Sequence, residues 1–147
     1  MICARRAAVV LLTCVGVTCG RGGPGEIAPP AAGVLRGANV LLVTIDTLRA
    51  DRVGAYGSPL GITPTLDRLA AEGLRYEIAR AHVPLTLPSH ATVMTGRYPF
   101  NNGVRDNGSF RLDGSRPTLA GTLKQAGYST AAFVGAFVLD GRFGLNA

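Results

Sequence analysis

Asn39-Val40-Leu41-Leu42-Val43-Thr44-Ile45-Asp46 is the stretch on which the fold turns. From Val40 to Ile45 it is continuously apolar and rich in β-branched residues, the pattern of a parallel strand buried on both faces. It ends abruptly in a carboxylate. A loop marked by Gly54, Gly57, Pro59 and Gly61 follows. Thr63-Pro64 then opens a helix: Thr63 can cap it, Pro64 suits the first turn, Leu66, Leu69 and Ala70 form an apolar stripe, and Gly73 stops it. Residues 76–81 suit a short strand. The loop Val83-Pro84-Leu85-Thr86-Leu87-Pro88 leads into a second helix that ends at Gly96. A third is expected from Pro117 to Ala126, with Gly127 as its stop, and Tyr128 to Phe137 reads as a second buried strand. The order β, α, β, α, α, β predicts an α/β fold, a largely parallel sheet flanked by helices. No internal repeat is present. A sheet that stopped here would be small and would lack strands on one side, so a truncated domain is expected.

Upstream, the sequence has the grammar of an export signal over residues 1–19. Arg5 and Arg6 supply the positive region, and the thirteen residues from Ala7 to Cys19 are apolar. That is short of the roughly 20 needed to span a bilayer. Cys19 stands where a lipoprotein signal places its lipidated cysteine, although Thr18 before it is larger than the usual Gly or Ala. Two readings stay open, membrane attachment through the N-terminus and simple export; either is extracytoplasmic, periplasmic or secreted. Residues 20–37, rich in Gly, Pro and Ala, read as a flexible linker to a domain at 38–147.

Of the 147 residues, 47% are hydrophobic and 16% charged, which is a globular composition. The net charge of +6 comes from fourteen Arg and Lys124. Those cations are dispersed from Arg5 to Arg142 without a dense run and with few interleaved aromatics, so no nucleic-acid module can be placed on them. An anionic substrate accounts for part of the excess. All three cysteines lie within the first nineteen residues. The folded region therefore has neither a disulfide framework nor a thiolate metal cluster, and any catalysis there uses oxygen and nitrogen chemistry.

Two segments carry chemistry. Asp46 stands at the carboxyl end of the first strand, where α/β sheets gather ligands, and a carboxylate there suits a hard cation. Against this, Asp46 can simply cap the next turn while Arg49 and Asp51 form a surface pair. The second segment is Thr86-Leu87-Pro88-Ser89-His90. Its helix N-terminus presents backbone N–H groups and the positive end of a dipole to an anion. A hydroxyl placed there can attack phosphorus or sulfur while those donors hold the developing charge. The competing role for Thr86 is an N-cap. His90 is a candidate for substrate contact or proton transfer, or is a half-exposed helix residue. His82 has no motif around it and reads as structural. Arg97 can orient substrate or pair structurally, and Asn107 can bond a substrate oxygen or shape the turn Asp106-Asn107-Gly108.

Taken in order and spacing, these pieces resemble one family. The run from Asn39 through Asp51 is similar to the opening strand and metal loop of the sulfatases. Thr63-Pro64-Thr65-Leu66-Asp67-Arg68-Leu69-Ala70 looks like their first helix, and Thr86-Leu87-Pro88-Ser89-His90 with Thr95-Gly96-Arg97-Tyr98-Pro99 looks like their active-site signature. The resemblance implies an alkaline-phosphatase-like α/β fold. It further implies a hydrolase or transferase of sulfate or phosphate esters, a divalent metal ion (Ca, Mn or Zn), Asp46 as a metal ligand, and Thr86 as nucleophile also touching the metal.

The departures are as informative. Sulfatases carry Cys or Ser at the nucleophile, oxidised to formylglycine. Threonine, with a methyl on Cβ, cannot yield that aldehyde, but its alkoxide is what the phosphoryl-transfer branches of the superfamily use. Thr47 replaces a second acidic ligand, and His90 replaces the arginine that follows the signature's serine. The stretch from Gly135 to Phe143 offers neither the lysine nor the histidine that sulfatases often present to substrate. The family completes its metal site with a late Asp followed by His or Asn, which the present chain lacks. Two expectations therefore stand: a threonine-nucleophile enzyme whose fragment alone is inactive, and a non-catalytic exported anion-binding module or inactive remnant.

Overall fold

The computed structural model describes residues 31–145. The export signal, Cys19 and most of the linker lie outside the described residues. The chain forms two compact units, Met1–Leu42 and Val43–Ala147. In the first, residues 31–38 make consecutive turns closed by bonds such as Arg36 N–H to Gly33 O at 3.0 Å.

The second unit is built on four helices: α1 (Pro64–Glu72), α2 (Thr86–Thr95), α3 (Pro99–Asn102) and α4 (Leu119–Gln125). Helix α1 begins where Pro64 fits the first position, but Thr63 does not cap it in the expected way. Its hydroxyl accepts from the Gly54 N–H at 2.9 Å and bonds the Asp67 carboxylate, which also accepts the Ala55 N–H at 2.7 Å. Asp67 thereby ties α1 to the 3₁₀ turn Gly54–Tyr56. Helix α4 starts two residues later than expected, at Leu119, and Thr118 caps it, its Oγ1 accepting from the Gly121 N–H at 3.0 Å.

Helix α2 carries the core of the second unit. Leu87 and Ala91, four residues apart on one face, are fully buried. They pack with Val104, Leu112 and Phe143, and Phe110, Val138, Leu139 and Leu145 close around that cluster. Gly96 ends the helix at φ 63°, and its N–H bonds the Thr92 carbonyl at 2.8 Å. The short α3 is held by buried Asn102, whose side chain donates to the Arg97 carbonyl and accepts from the Val104 N–H.

The expected sheet is not shown here: among the described residues there is no strand. Residues 43–45, 76–81 and 128–136 lie outside any helix, with side chains such as Val43, Ile45, Ile78 and Phe133 exposed. A strand is fixed by a neighbour's ladder, and an apolar run without one remains solvated chain. Near its end the first run is held instead by a turn, Leu48 N–H to Ile45 O at 3.5 Å, and by side-chain bonds. The last expected strand also overshoots, because Phe137–Leu139 is a 3₁₀ turn whose Val138 and Leu139 face the core.

Candidate active site

The site is assembled where the turn after Ile45 meets the first turn of α2. Asp46 and Thr47 occupy the centre of that turn, and Thr47 has φ 59°, the positive-φ conformation that a turn of this shape requires at its third residue. The chain reverses immediately after Asp46 and leaves its carboxylate presented. Thr86 Oγ1 donates a hydrogen bond to Asp46 Oδ2 at 3.0 Å. Thr86 is the first residue inside α2, and Leu85 takes the N-cap position without any side-chain cap bond. The capping role considered for Thr86 is therefore not the one its hydroxyl performs. Half-buried behind it, the backbone is anchored by the fully buried Leu87 and Pro88.

The helix N-terminus is more selective than its sequence suggests. Pro88 has no N–H. The Ser89 N–H bonds the Leu85 carbonyl at 3.0 Å, and the Leu87 N–H donates to Asn107 Oδ1 at 2.8 Å. That leaves the Thr86 N–H as the first-turn donor with no partner among the described residues. Asn107, read from sequence as a substrate contact or turn residue, caps α2 from a distance of twenty positions. Its amide NH₂ is thereby held at the same end of the helix as Thr86.

His90 lies one turn further along α2, half-buried. Its Nδ1 is 2.8 Å from the Thr86 carbonyl oxygen, and its Nε2 is 3.0 Å from Thr44 Oγ1. Arg97 is exposed just past the far end of α2. Ten helical residues, about 15 Å at 1.5 Å each, separate it from Thr86, so it is not brought to the same point. Arg49 and Asp51 form the surface pair weighed above, in fork geometry at 2.9 and 2.7 Å. The bond from Arg49 holds the Asp51 carboxyl below the usual carboxylate range. Its oxygens are committed there rather than to the Asp46 site. Thr44 was missed by sequence reading. The signal was its place two residues before Asp46, which in extended chain puts both side chains on one face.

No group of three or more His, Cys, Asp or Glu able to hold a metal ion exists among the described residues. Asp46 and Thr86 are hard oxygen donors, 3.0 Å apart, and fit a hard divalent cation in kind. They supply two ligands of the several such an ion takes. No described helix is long and apolar enough to cross a membrane.

The Thr86 hydroxyl and the Asp46 carboxylate thus meet at the first turn of α2. The family model described as Sulfatase matches residues 38–139, and this chain belongs to the sulfatase family. Mouse steryl-sulfatase is 39% identical over 112 residues, covering 69% of this chain and 18% of that protein. N-acetylglucosamine-6-O-sulfatase of Bacteroides thetaiotaomicron is 37% identical over 93 residues, 63% and 16%. Human N-acetylgalactosamine-6-sulfatase is 42% identical over 73 residues, 50% and 14%. The chain thus spans less than a fifth of the length of these relatives. No solved structure gives a significant match to it. The family has an alkaline-phosphatase-like fold and is generally dependent on a divalent metal.

Proposed function

We propose that this chain is the nucleophile-bearing part of an exported, sulfatase-like hydrolase or transferase of sulfate or phosphate esters, with Thr86 as nucleophile. The observation that carries this reading is the 3.0 Å bond from Thr86 Oγ1 to Asp46 Oδ2. That bond points the hydroxyl hydrogen at a carboxylate and leaves the oxygen lone pairs facing solvent and substrate. On attack, the new bond forms from Thr86 Oγ1 to sulfur or phosphorus. The hydroxyl proton passes to Asp46, and the ester oxygen leaves with its bonding pair. Water then cleaves the threonyl ester in a hydrolase; an acceptor hydroxyl does so in a transferase. The Thr86 N–H and the Asn107 NH₂ lie at the positive end of α2 and hold the anionic oxygens. Asp46 and Thr86 are the two oxygens this segment offers to a Ca, Mn or Zn ion. Such an ion, when bound, supplies positive charge that eases loss of the hydroxyl proton and neutralises the ester. Arg97 would reach only a substrate that extends along the length of α2.

Threonine cannot form the formylglycine aldehyde, which favours phosphoryl transfer over sulfate hydrolysis. The relatives bearing sulfatase names make sulfate the competing group. In the parallel sheet of the family fold, residues 40–45 and 128–137 would serve as strands. Export rests on Arg5, Arg6 and the apolar residues 7–19.

The test is turnover of an aryl phosphate and an aryl sulfate by the full-length protein. Thr86→Ala abolishes both, and Thr86→Ser keeps a part; normal turnover by Thr86→Ala overturns the assignment. One other reading is a non-catalytic anion-binding module, which the Thr86 N–H and the Asn107 amide at the start of α2 would serve equally well. Metal-dependent esterase activity of the 147-residue chain alone would exclude it.

A further inference from the structure

His90 makes two bonds that the proposed chemistry does not use. The Thr86 carbonyl oxygen can only accept, so the Nδ1 facing it at 2.8 Å carries the ring hydrogen. In the neutral ring Nε2 is then the bare nitrogen, and it accepts from the Thr44 hydroxyl at 3.0 Å. Neither nitrogen faces the Thr86 hydroxyl, whose own bond goes to Asp46 Oδ2. The ring instead joins two pieces of backbone, residue 44 in the segment that delivers Asp46 and residue 86 at the start of α2.

We infer that His90 and Thr44 are a positioning pair, a clamp that sets the distance between Asp46 and the Thr86 hydroxyl, and that His90 takes no part in proton transfer. The inference rests on the reading of Thr86 as nucleophile, and it deepens that reading. Three observations carry it. Thr44 lies only two residues before Asp46, with Ile45 between them, so holding the Thr44 side chain limits how far Asp46 can move. No ladder holds that stretch among the described residues, which leaves side-chain bonds as its connection to α2 at this point. The Thr44–His90 and Asp46–Thr86 bonds run side by side between the same two segments, one four residues along the helix from the other. Removing the first leaves the second as the one side-chain bond of this pair that ties the strained turn at Thr47 to α2.

The pair of variants is Thr44→Val, which keeps the β-branched shape and removes the hydroxyl, and Thr44→Ser, which restores it. Thr44 is exposed, so neither change disturbs the core. The first measurement needs no activity: ¹⁵N–¹H correlation of the His90 ring in the full chain, in alkaline buffer where imidazoles are neutral. The clamp requires the hydrogen on Nδ1 and a bare Nε2, a shift of the Nε2 signal in Thr44→Val, and its return in Thr44→Ser. A hydrogen on Nε2, or an Nε2 signal unmoved by Thr44→Val, overturns it.

The second measurement is kinetic, on the full-length enzyme. Thr44→Val lowers kcat about ten- to hundredfold with KM little changed, as expected when reacting groups are misplaced by about 1 Å. Thr44→Ser recovers most of the loss. If Thr86→Ala abolishes turnover while Thr44→Val leaves it intact, the clamp fails and the nucleophile stands. If Thr86→Ala keeps turnover, the nucleophile assignment fails, and the ring signals alone decide the clamp.

Discussion

Thr47 shows how much a single residue can be asked to bear. It is the one non-glycine residue with positive φ among the described residues, and it is β-branched, the type least tolerant of that region. Such a conformation costs about 1–3 kcal/mol and persists where its surroundings enforce it. Here it turns the chain directly after Asp46. Asparagine adopts the same conformation readily. Thr47→Asn is expected to raise stability by about 1 kcal/mol, the lower end of that strain, read as an upward shift in Tm. Asn107 carries the opposite expectation. Removing its amide leaves the Leu87 N–H without its cap, and loss of a cap costs about 0.5–2 kcal/mol. Asn107→Ala should therefore lower Tm and weaken turnover together. Asn107→Asp keeps the accepting oxygen and the stability but removes the NH₂, so it should lose turnover alone. Normal turnover by Asn107→Asp would deny Asn107 any role beyond capping.

At the scale of the element, helices were legible and strands were not. Local signals suffice for a helix: Pro64 and Gly73 bound α1, and Gly96 closes α2. A strand is a property of two segments, and the apolar run ending at Ile45 carries no information about whether a partner lies beside it. The site divides in the same way. Asp46 and Thr86 draw attention in the sequence because one follows an apolar run and the other precedes a helix-opening proline. Asn107 and Thr44 act across twenty and forty-six positions, on Leu87 and His90, a pairing that no local pattern encodes. The turn Gly141–Phe143 offers two tests of such non-local design. Gly144 follows it at φ 86°, where a Cβ would collide with the Leu112 carbonyl, while the Leu112 N–H bonds the Phe143 carbonyl at 2.9 Å. Gly144→Ala therefore meets both a backbone and a packing penalty. It should destabilise by more than about 1 kcal/mol in denaturant unfolding. Asp140 caps the same turn, and the Arg142 N–H, followed by the Arg142 guanidinium, holds its carboxyl below the usual range. A carboxyl depressed in the folded state contributes stability above the ordinary carboxylate range and loses it as pH falls through and below that range. The Arg142 amide signal should follow that titration, and an amide indifferent to acid would show the cap to be unformed.

At the scale of the whole molecule, the decisive fact is how small the core among the described residues is and where it lies. Its five fully packed members are Leu87, Ala91, Val104, Leu112 and Phe143. Leu87 adjoins the proposed nucleophile in sequence, so the packing that stabilises the chain also fixes the position of Thr86. Phe133, by contrast, is 97% exposed on a segment that would be a sheet strand in the family fold. Burial alone then separates two substitutions that sequence hydrophobicity would treat alike. Leu87→Ala opens a cavity and should cost about 2–5 kcal/mol. That is a large part of the roughly 5–15 kcal/mol that holds an ordinary domain together. Phe133→Ser should change stability by no more than about 0.5 kcal/mol, as surface substitutions do. Denaturant unfolding of the two variants beside the parent chain makes the comparison, and the Leu87 variant should lose the Thr86–Asp46 geometry along with its stability. Should Phe133→Ser cost as much as Leu87→Ala, residues 128–136 are packed against a neighbour in solution and the exposed arrangement of that segment is wrong.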